Sequence, residues 1–583
     1  MTTQNIRFFL FAALIVLGML LYNAWKQEAS IQKNKSTTVS GKNREARDVS
    51  SLIPESAGGR TTQDTEIPEI PEAGLPFPKS VTSVTNPEGG ETFKSGKNLV
   101  TVKTDVLNLT IDTVGGDITQ LILSKYAEDE KNFGQGYILL DQSAKRYYIA
   151  QSGLTGDQGP DKRGVGRAQF ETAEKNYALN TDQDKFFVDL KTKTAQGVLV
   201  TKRFNFSRGS YVIGVEYIIE NKGRVPYKGS FYARLKRKAE SESGGGFLGI
   251  QTFTGAAIHT ADTPYKKVSF KDLAEKSVEQ SVEGGFAAMV EHYFVSAWIP
   301  ASHLTSVYQA NKLDQDIYSV GLVEPVMEVL PGETKSIITE FYAGPEITED
   351  LKKLAPGLDL AVDYGILWPI CQPIFWLLKQ IFQFTGNWGV AIILTTVIIK
   401  ALFYKLSAAS YRSMGNMRKL QPKLEALKER YGEDKQKYSQ AMMELYKNEK
   451  INPLGGCLPV LVQIPVFIAL YYVLLGSVEL REAPFIGWIT DLSSKDSYYV
   501  LPILMGASML VQQKLNPTPP DPVQAKVMML MPVVFTVLFL NFPSGLVLYW
   551  FVNNVLSILQ QWFITRSIER GANTGVVNSY GAK

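Results

Sequence analysis

Residues 452–492, NPLGGCLPVLVQIPVFIALYYVLLGSVELREAPFIGWITDL, decide how this chain is read. A turn signal (Asn452-Pro453, then Gly455-Gly456) opens an apolar run, and a charged loop containing Pro484 closes it. The run holds about 20 residues, enough at roughly 1.5 Å each to cross a hydrocarbon core. It also carries Pro459, Gln463 and Pro465. Polar and helix-breaking residues at membrane depth are tolerated where neighbouring helices or water satisfy them, so the run reads as a working segment rather than a passive anchor.

Working outward, the 583 residues divide into unlike halves: 26–350 is polar and most of 365–566 is apolar. The formal net charge of +4 is too small to imply sequence-specific nucleic-acid binding. Phe8–Tyr22 follows Arg7 and is apolar, with Trp25 suited to an interface. No small-x-small site follows, which favours an uncleaved signal anchor over residues 1–25 against a cleavable signal peptide. Residues 26–97, rich in Ser, Thr, Gly, Pro and charge, read as a flexible tether. From Asn98 the period changes to two: Leu107, Leu109 and Ile111 alternate, as do Tyr211, Ile213, Val215 and Tyr217. Turn signals at Gly115-Gly116, Asn221-Lys222-Gly223 and Pro331-Gly332 separate such runs, and 98–345 is expected to be a large antiparallel β-sandwich. ITEDLKKLAPGL from Ile347 suggests a short helix, and Leu367–Phe384 an amphipathic interfacial helix. A buried helix of the β-domain is the alternative for the latter. Together, 346–386 forms a connecting region.

The span-bearing part of the pattern is 387–566, with spans at about 388–406, 455–476, 498–513, 527–541 and 544–564. With the anchor they make an α-helical six-span transmembrane bundle. Some runs are short and require tilt or local thinning. The loop Lys405–Lys450 carries eleven Lys and Arg, whereas 477–497 has only Arg481 and Lys495 against four acids. By the positive-inside rule both termini, the loop and the short tail 567–583 are cytoplasmic, and the β-domain lies outside. Cys371 and Cys457 then sit near opposite faces, too far apart for a disulfide. Within 407–452, Met414, Met417, Leu420, Leu424 and Leu427, then Tyr438, Met442 and Leu445, predict a cytoplasmic helical hairpin. Pro422 should kink its first arm. Arg412, Arg418, Lys419, Lys423, Lys428 and Arg430 lie on its polar faces; a solvated basic linker is the plainer alternative.

Lys400 lies roughly 8–10 Å inside its span, where an ionisable side chain costs about 2.5–3.5 kcal/mol and faces a cavity unless it snorkels to the headgroups. Thr396 shares its face. Tyr549, Asn553, Ser557 and Gln560 fall within about 80° of one another on a helix. Gln463, Ser508 and Gln512 add polar groups on two further spans. These stripes and the cation suggest a positively charged hydrophilic groove, against plain interhelical hydrogen bonding. No phosphate loop, HExxH, GxSxG or intramembrane acidic relay is present in the sequence, so neither ATP hydrolysis nor proton coupling is indicated. His259, His292 and His303 lack metal-ligand spacing. Catalytic residues, metals and cofactors are not expected.

SQAMMELYKNEKINPLGGCLPVLVQIPVFIALYYVLLGSVELREAPFIGWITDLS (439–493) and FPSGLVLYWFVNN (542–554) closely resemble the YidC/Oxa/Alb membrane-protein insertases. KTDVLNLTIDTVGGDI (103–118) and AQSGLTGDQGPD (150–161) match the Gram-negative form with a large periplasmic domain. The resemblance implies a five-helix core enclosing a groove open to cytoplasm and lipid. Its cation would attract the acidic tail of a nascent membrane protein, and a greasy flank on the third and fifth spans would accept the substrate helix. It also implies chaperone activity alone or with the Sec translocon, and contact of the hairpin with the ribosome or a targeting receptor. Relatives usually carry arginine where this chain has Lys400, and often proline at Lys405, so the helix is expected to run straighter into the loop here. Trp550 replaces a tyrosine often found beside Tyr549, leaving Tyr549 as the candidate for substrate contact. The β-domain resembles a sugar-mutarotase-like fold, but Glu291-His292 is its only tempting acid/base pair and would point to opposite faces of a strand. A binding or spacing module is expected. A channel or secondary transporter for a small polar solute, and a non-inserting assembly scaffold, remain as alternatives. No internal duplication favours the transporter.

Overall fold

The computed structural model describes residues 98–127, 136–156, 159–161, 166–239, 253–314, 316–431, 434–449, 458–516 and 522–579. The expected anchor, the tether and Cys457 lie outside the described residues.

Two large sheets occupy 99–345. The ten-stranded one runs, in spatial order, through 278–283, 305–314, 317–323, 231–238, 148–154, 117–127, 107–112, 99–103 and 176–178, with 136–140 paired to 117–127. The eight-stranded one runs through 266–269, 255–258, 287–290, 294–299, 334–345, 212–221, 198–207 and 185–193. One apolar cluster draws on both: Val102, Leu109, Leu121 and Leu235 from the first sheet, and Val188, Phe204, Val215 and Phe341 from the second. Alternation therefore identifies the core face, as in 212–221, where Ile213, Val215, Tyr217 and Ile219 point inward. Tyr211 is only half-buried. Among the described residues the expected antiparallel pattern fails at one place: 176–178 pairs with 99–103 in parallel, the chain having crossed back to the sheet edge. Deep in this domain, Lys202 donates to the carbonyls of Gly115 (3.2 Å), Gly116 (2.7 Å) and Ser152 (3.2 Å). Beside it, Arg167 pairs with Asp117 and with Asp161.

The helices, in chain order, are α1 (Phe270–Glu275), α2 (Thr348–Leu354), α3 (Trp368–Thr385), α4 (Trp388–Leu402), α5 (Tyr404–Lys419), α6 (Gln421–Tyr431), α7 (Lys435–Asn448), α8 (Leu458–Gly476), α9 (Val500–Leu515), α10 (Pro522–Phe539) and α11 (Ser544–Ser579). The helix suggested from Ile347 is α2, which buries Leu351 against the sheets. α3 is continuous despite Pro373, and its Cys371, Ile374 and Leu378 face join the helical core rather than the sheet core. Gly386, at φ 65°, ends it in the left-handed conformation that favours glycine. Asn387 then caps α4 by accepting from Val390 N–H (3.0 Å). The helical core gathers residues of α3, α4, α8, α9, α10 and α11, including Ile392, Leu470, Met505, Phe539 and Val547.

Among the described residues no single helix is both long and apolar enough to cross a membrane. α4 and α5 pass that test only as a pair, bent by 68°. The expectation that Lys405 lets the second span run straight is thus corrected. α4 ends at Leu402, Phe403 adopts φ −90° and ψ 11°, and α5 departs in a new direction. α5 lies against the middle of α11, with Ala408 and Tyr411 meeting Ile564, so tertiary burial overrides the local helix-permissive sequence. The last helix does not stop near 564 but continues through Ser579. No proline lies between Ser544 and Ser579 to end it. Pro422 falls in the first turn of α6, where a missing N–H costs little, and the break expected there sits just before it, at Leu420.

The sheets and helices meet at the loop after α8. Arg481 reaches into a cage of aromatic rings from the sheets, Tyr137 (5.1 Å to centroid), Tyr293 (5.5 Å) and Phe294 (5.3 Å). It also donates to the Ala127 carbonyl (2.6 Å), while Glu482 accepts the Ala127 N–H (2.7 Å). His292 shares a 3.0 Å hydrogen bond with the Leu475 carbonyl at the end of α8.

Candidate functional site

The cation and the polar stripes converge where α4, α8 and α11 approach one another. α4 carries Lys400 half-buried, and its Nζ donates to Ser557 Oγ on α11 at 2.8 Å. Ser557 donates back to the Asn553 carbonyl one turn earlier (2.7 Å), which fixes the hydroxyl for that role. Gln463 on α8 donates to Asn553 Oδ1 at 2.5 Å and lies within reach of the Tyr549 hydroxyl. A chain of polar groups therefore runs Lys400–Ser557–Asn553–Gln463–Tyr549 across three helices. Among the described residues no carboxylate pairs with Lys400. A cation held only by neutral oxygens keeps its attraction for an arriving anion.

The other expected members separate. Thr396 is buried but donates to the Ile392 carbonyl of its own helix (2.7 Å). Gln560 reaches the Tyr404 carbonyl at 3.4 Å, tying α11 to the start of α5. Ser508 on α9 accepts from Asn554 (3.2 Å) and donates to the Met505 carbonyl (2.6 Å), so it belongs to the α9–α11 seam rather than to the Lys400 chain. Gln512 is half-buried on the same helix, and among the described residues no hydrogen bond joins it to the chain. Sequence reasoning missed this second seam: Asn554 and, one heptad on, Gln561 are both buried, and Gln561 donates to the Leu515 carbonyl and Asn516 Oδ1 (3.1 Å each). Their seven-residue spacing was the available signal.

The space beside Lys400, lined by Ile399, Phe403, Ser407, Val462 and Gln463, measures about 10 Å³, room for about one water. Tyr549 is buried against Phe467 (6.1 Å between rings), so it is not accessible here to a substrate. Outward, α8 exposes Val462, Ile464 and Ile468, and α10 exposes Met529, Leu530, Val533 and Val537. These are the two helices expected to form the apolar flank.

On α5 and α6, Arg412, Arg418, Lys419, Lys423, Lys428 and Arg430 are all exposed. α6 and α7 pack through Leu420, Leu424 and Tyr446, with Met417, Met442 and Leu445 alongside. The buried residue on α7 is thus Tyr446, next to the expected Leu445. Lys423 is paired with Glu449 (2.5 Å). In the sheet domain, Glu291 and His292 do face apart. Glu291 pairs with Arg237 (2.9 Å) and accepts from Tyr137 (2.6 Å), whereas His292 turns to α8.

Against known proteins, residues 99–377 match the family described as YidC periplasmic domain, and 380–571 the family described as 60Kd inner membrane protein. A membrane protein insertase YidC of Azotobacter vinelandii is 48% identical over 567 residues, covering 97% of this chain and 99% of the relative. The chain belongs to the YidC membrane protein insertase family. A YidC insertase of Pseudomonas putida is 56% identical over 474 residues, covering 81% of this chain and 84% of that one. A solved structure described as an active YidC insertase with the first transmembrane domain resolved aligns with a TM-score of 0.39 at 18% identity, over 80% of this chain and 92% of the other. The family assignment makes this an inner-membrane protein with a periplasmic domain, and the whole Lys400 chain falls within the matched 380–571 region.

Proposed function

We propose that this membrane protein insertase receives nascent membrane proteins at the α4–α8–α11 junction and releases their helices along the exposed faces of α8 and α10. In this reading the bundle has six spans, the basic α5–α7 region and both termini are cytoplasmic, and the sheets form a periplasmic β-sandwich that binds or spaces rather than catalyses. The observation that carries it is Lys400 held by Ser557 with no carboxylate among its described partners. A short acidic tail arriving from the cytoplasm exchanges bulk water for Lys400 and the neighbouring amide and hydroxyl dipoles, which reduces its desolvation cost. Burial of about 20 apolar residues in lipid then drives insertion without nucleotide hydrolysis. Because the space at Lys400 is small, entry requires α4, α8 and α11 to part. The basic region would meet the ribosome or a targeting receptor, and the Sec translocon would share larger substrates.

The test is insertion of a short-tailed single-span protein into proteoliposomes containing only this chain, scored by protease protection of the tail. Wild type and Lys400→Arg should insert an acidic-tailed substrate, while Lys400→Ala and Lys400→Glu should fail. Equal insertion by all four would make Lys400 a snorkelling lysine and refute the charged route. Topology is read separately, by membrane-impermeant thiol labelling of single cysteines placed at Lys428 and Lys495, which should react from opposite sides.

A further inference from the structure

Away from the Lys400 chain, a cavity of about 360 Å³ lies between α2, the 358–364 segment, α3 and the loop after α8. That volume falls in the range of small-molecule sites. α3 turns one stripe toward it, Trp368, Gln372, Trp376 and Lys379, at spacings of four, four and three residues, while its opposite stripe is buried in the helical core. Trp368 and Trp376 are 56% and 62% exposed, unusual for residues of their size unless something apolar covers them. Opposite stand three carboxylates, Glu349, Asp359 and Glu479. Among the described residues Lys379 is the only base of the lining, and it is already bound to Glu349 (2.7 Å), so the cavity carries an excess of negative charge. Burial raises the Glu479 carboxyl above the usual range, and among the described residues no side chain donates a hydrogen bond to it.

The geometry points to a headgroup site for a zwitterionic phospholipid bearing a primary ammonium, such as phosphatidylethanolamine, at the outer surface of the membrane. The ammonium would sit between Glu479 and the tryptophan faces, where both the carboxylate and the ring quadrupole favour a cation. The phosphate would fall toward Lys379, and the first carbons of the acyl chains would cover Trp368 and Trp376, as suits interfacial aromatics. An anionic headgroup with no amine, such as phosphatidylglycerol, meets the excess of carboxylates and is disfavoured. This inference rests on the topology proposed above, which thiol labelling tests on its own.

The experiment is native mass spectrometry of the full chain in detergent supplemented with equal amounts of phosphatidylethanolamine and phosphatidylglycerol. The wild type should retain the former over the latter by about tenfold, the worth of one charge-assisted hydrogen bond. Glu479→Gln, nearly isosteric, should bring the two lipids close to parity with the melting temperature unchanged. Trp376→Ala, at an exposed position that folding does not need, should lower the total lipid retained. Equal retention of both lipids by the wild type, or an intact preference in Glu479→Gln, would overturn the site. A Trp376→Ala protein that keeps its lipid but inserts substrate more slowly would assign the cavity to a passing protein segment instead.

Discussion

Replacing Arg481 by alanine should loosen the sheet domain from the helical core without unfolding either. The side chain is 15% exposed, so its interactions are mostly desolvated. Its hydrogen bond to the Ala127 carbonyl, from a charged donor at 2.6 Å, is worth about 1.5–3 kcal/mol. Each cation–ring contact contributes roughly 0.5–1 kcal/mol, but the Tyr137, Tyr293 and Phe294 rings share one guanidinium and do not add fully. The combined loss is about 2–4 kcal/mol, which converts to local opening about 30- to 1,000-fold more frequent. Hydrogen exchange of the full chain reads this directly, because the Ala127 amide is held by Glu482 at the same junction. Its protection should fall by that factor, while amides in the centre of the sheets, such as those of 212–221, stay protected. Arg481→Lys should recover only part of the loss, since an ammonium lacks the planar fork that stacks on rings and reaches the carbonyl. Unchanged protection at Ala127, or an equal fall throughout both sheets, would refute the account of Arg481 as a local fastener.

Three further outcomes are expected. Burial lowers the His292 pKa below its ordinary 6.5, so the folded junction holds the ring neutral while the opened one binds a proton more readily. Stability at the junction is therefore present above about pH 6.5 and declines as pH falls below it, and the protection factor at Ala127, relative to its intrinsic exchange rate at each pH, should decrease over that range in wild type but not in His292→Gln. Gly389 on α4 lies where a methyl group would collide with the Phe485 ring, so Gly389→Ala should cost about 1–3 kcal/mol in a thermal melt. Asn554→Leu removes one partner of the pair with Ser508, and its cost should be modest, about 0.6–1.7 kcal/mol, with Ser508→Ala adding little beyond it.

What the sequence made legible follows period and charge. The apolar run of α8 and the alternation of 212–221 both express spacing along one element, and each is visible without a partner. What stayed hidden depends on partners distant in sequence. The parallel pairing of Thr101 with Asn176 joins segments 75 residues apart, and neither carries a signal of it. Strand 107–112 buries Asn108 and Thr110 as well as Leu107, Leu109 and Ile111, so alternation gave its inner face but not the cover over the other. The break at Phe403 has no proline or glycine to announce it; it arises because α5 finds a surface on α11. Ser508 looked like a member of the site because it is polar in an apolar span, yet Asn554 claims it.

The tightness of the space at Lys400 has a consequence for the cell's energy supply. A pore wide enough for a peptide, left open at rest, would conduct protons and ions and dissipate the membrane potential, which is worth about 2.3 kcal/mol per charge at 100 mV. If Lys400 marks the proposed route, room for about one water beside a fixed positive charge would keep that route closed to idle ion traffic. On the proposed route, the permeability barrier would open only while a substrate helix occupies the gap and seals it.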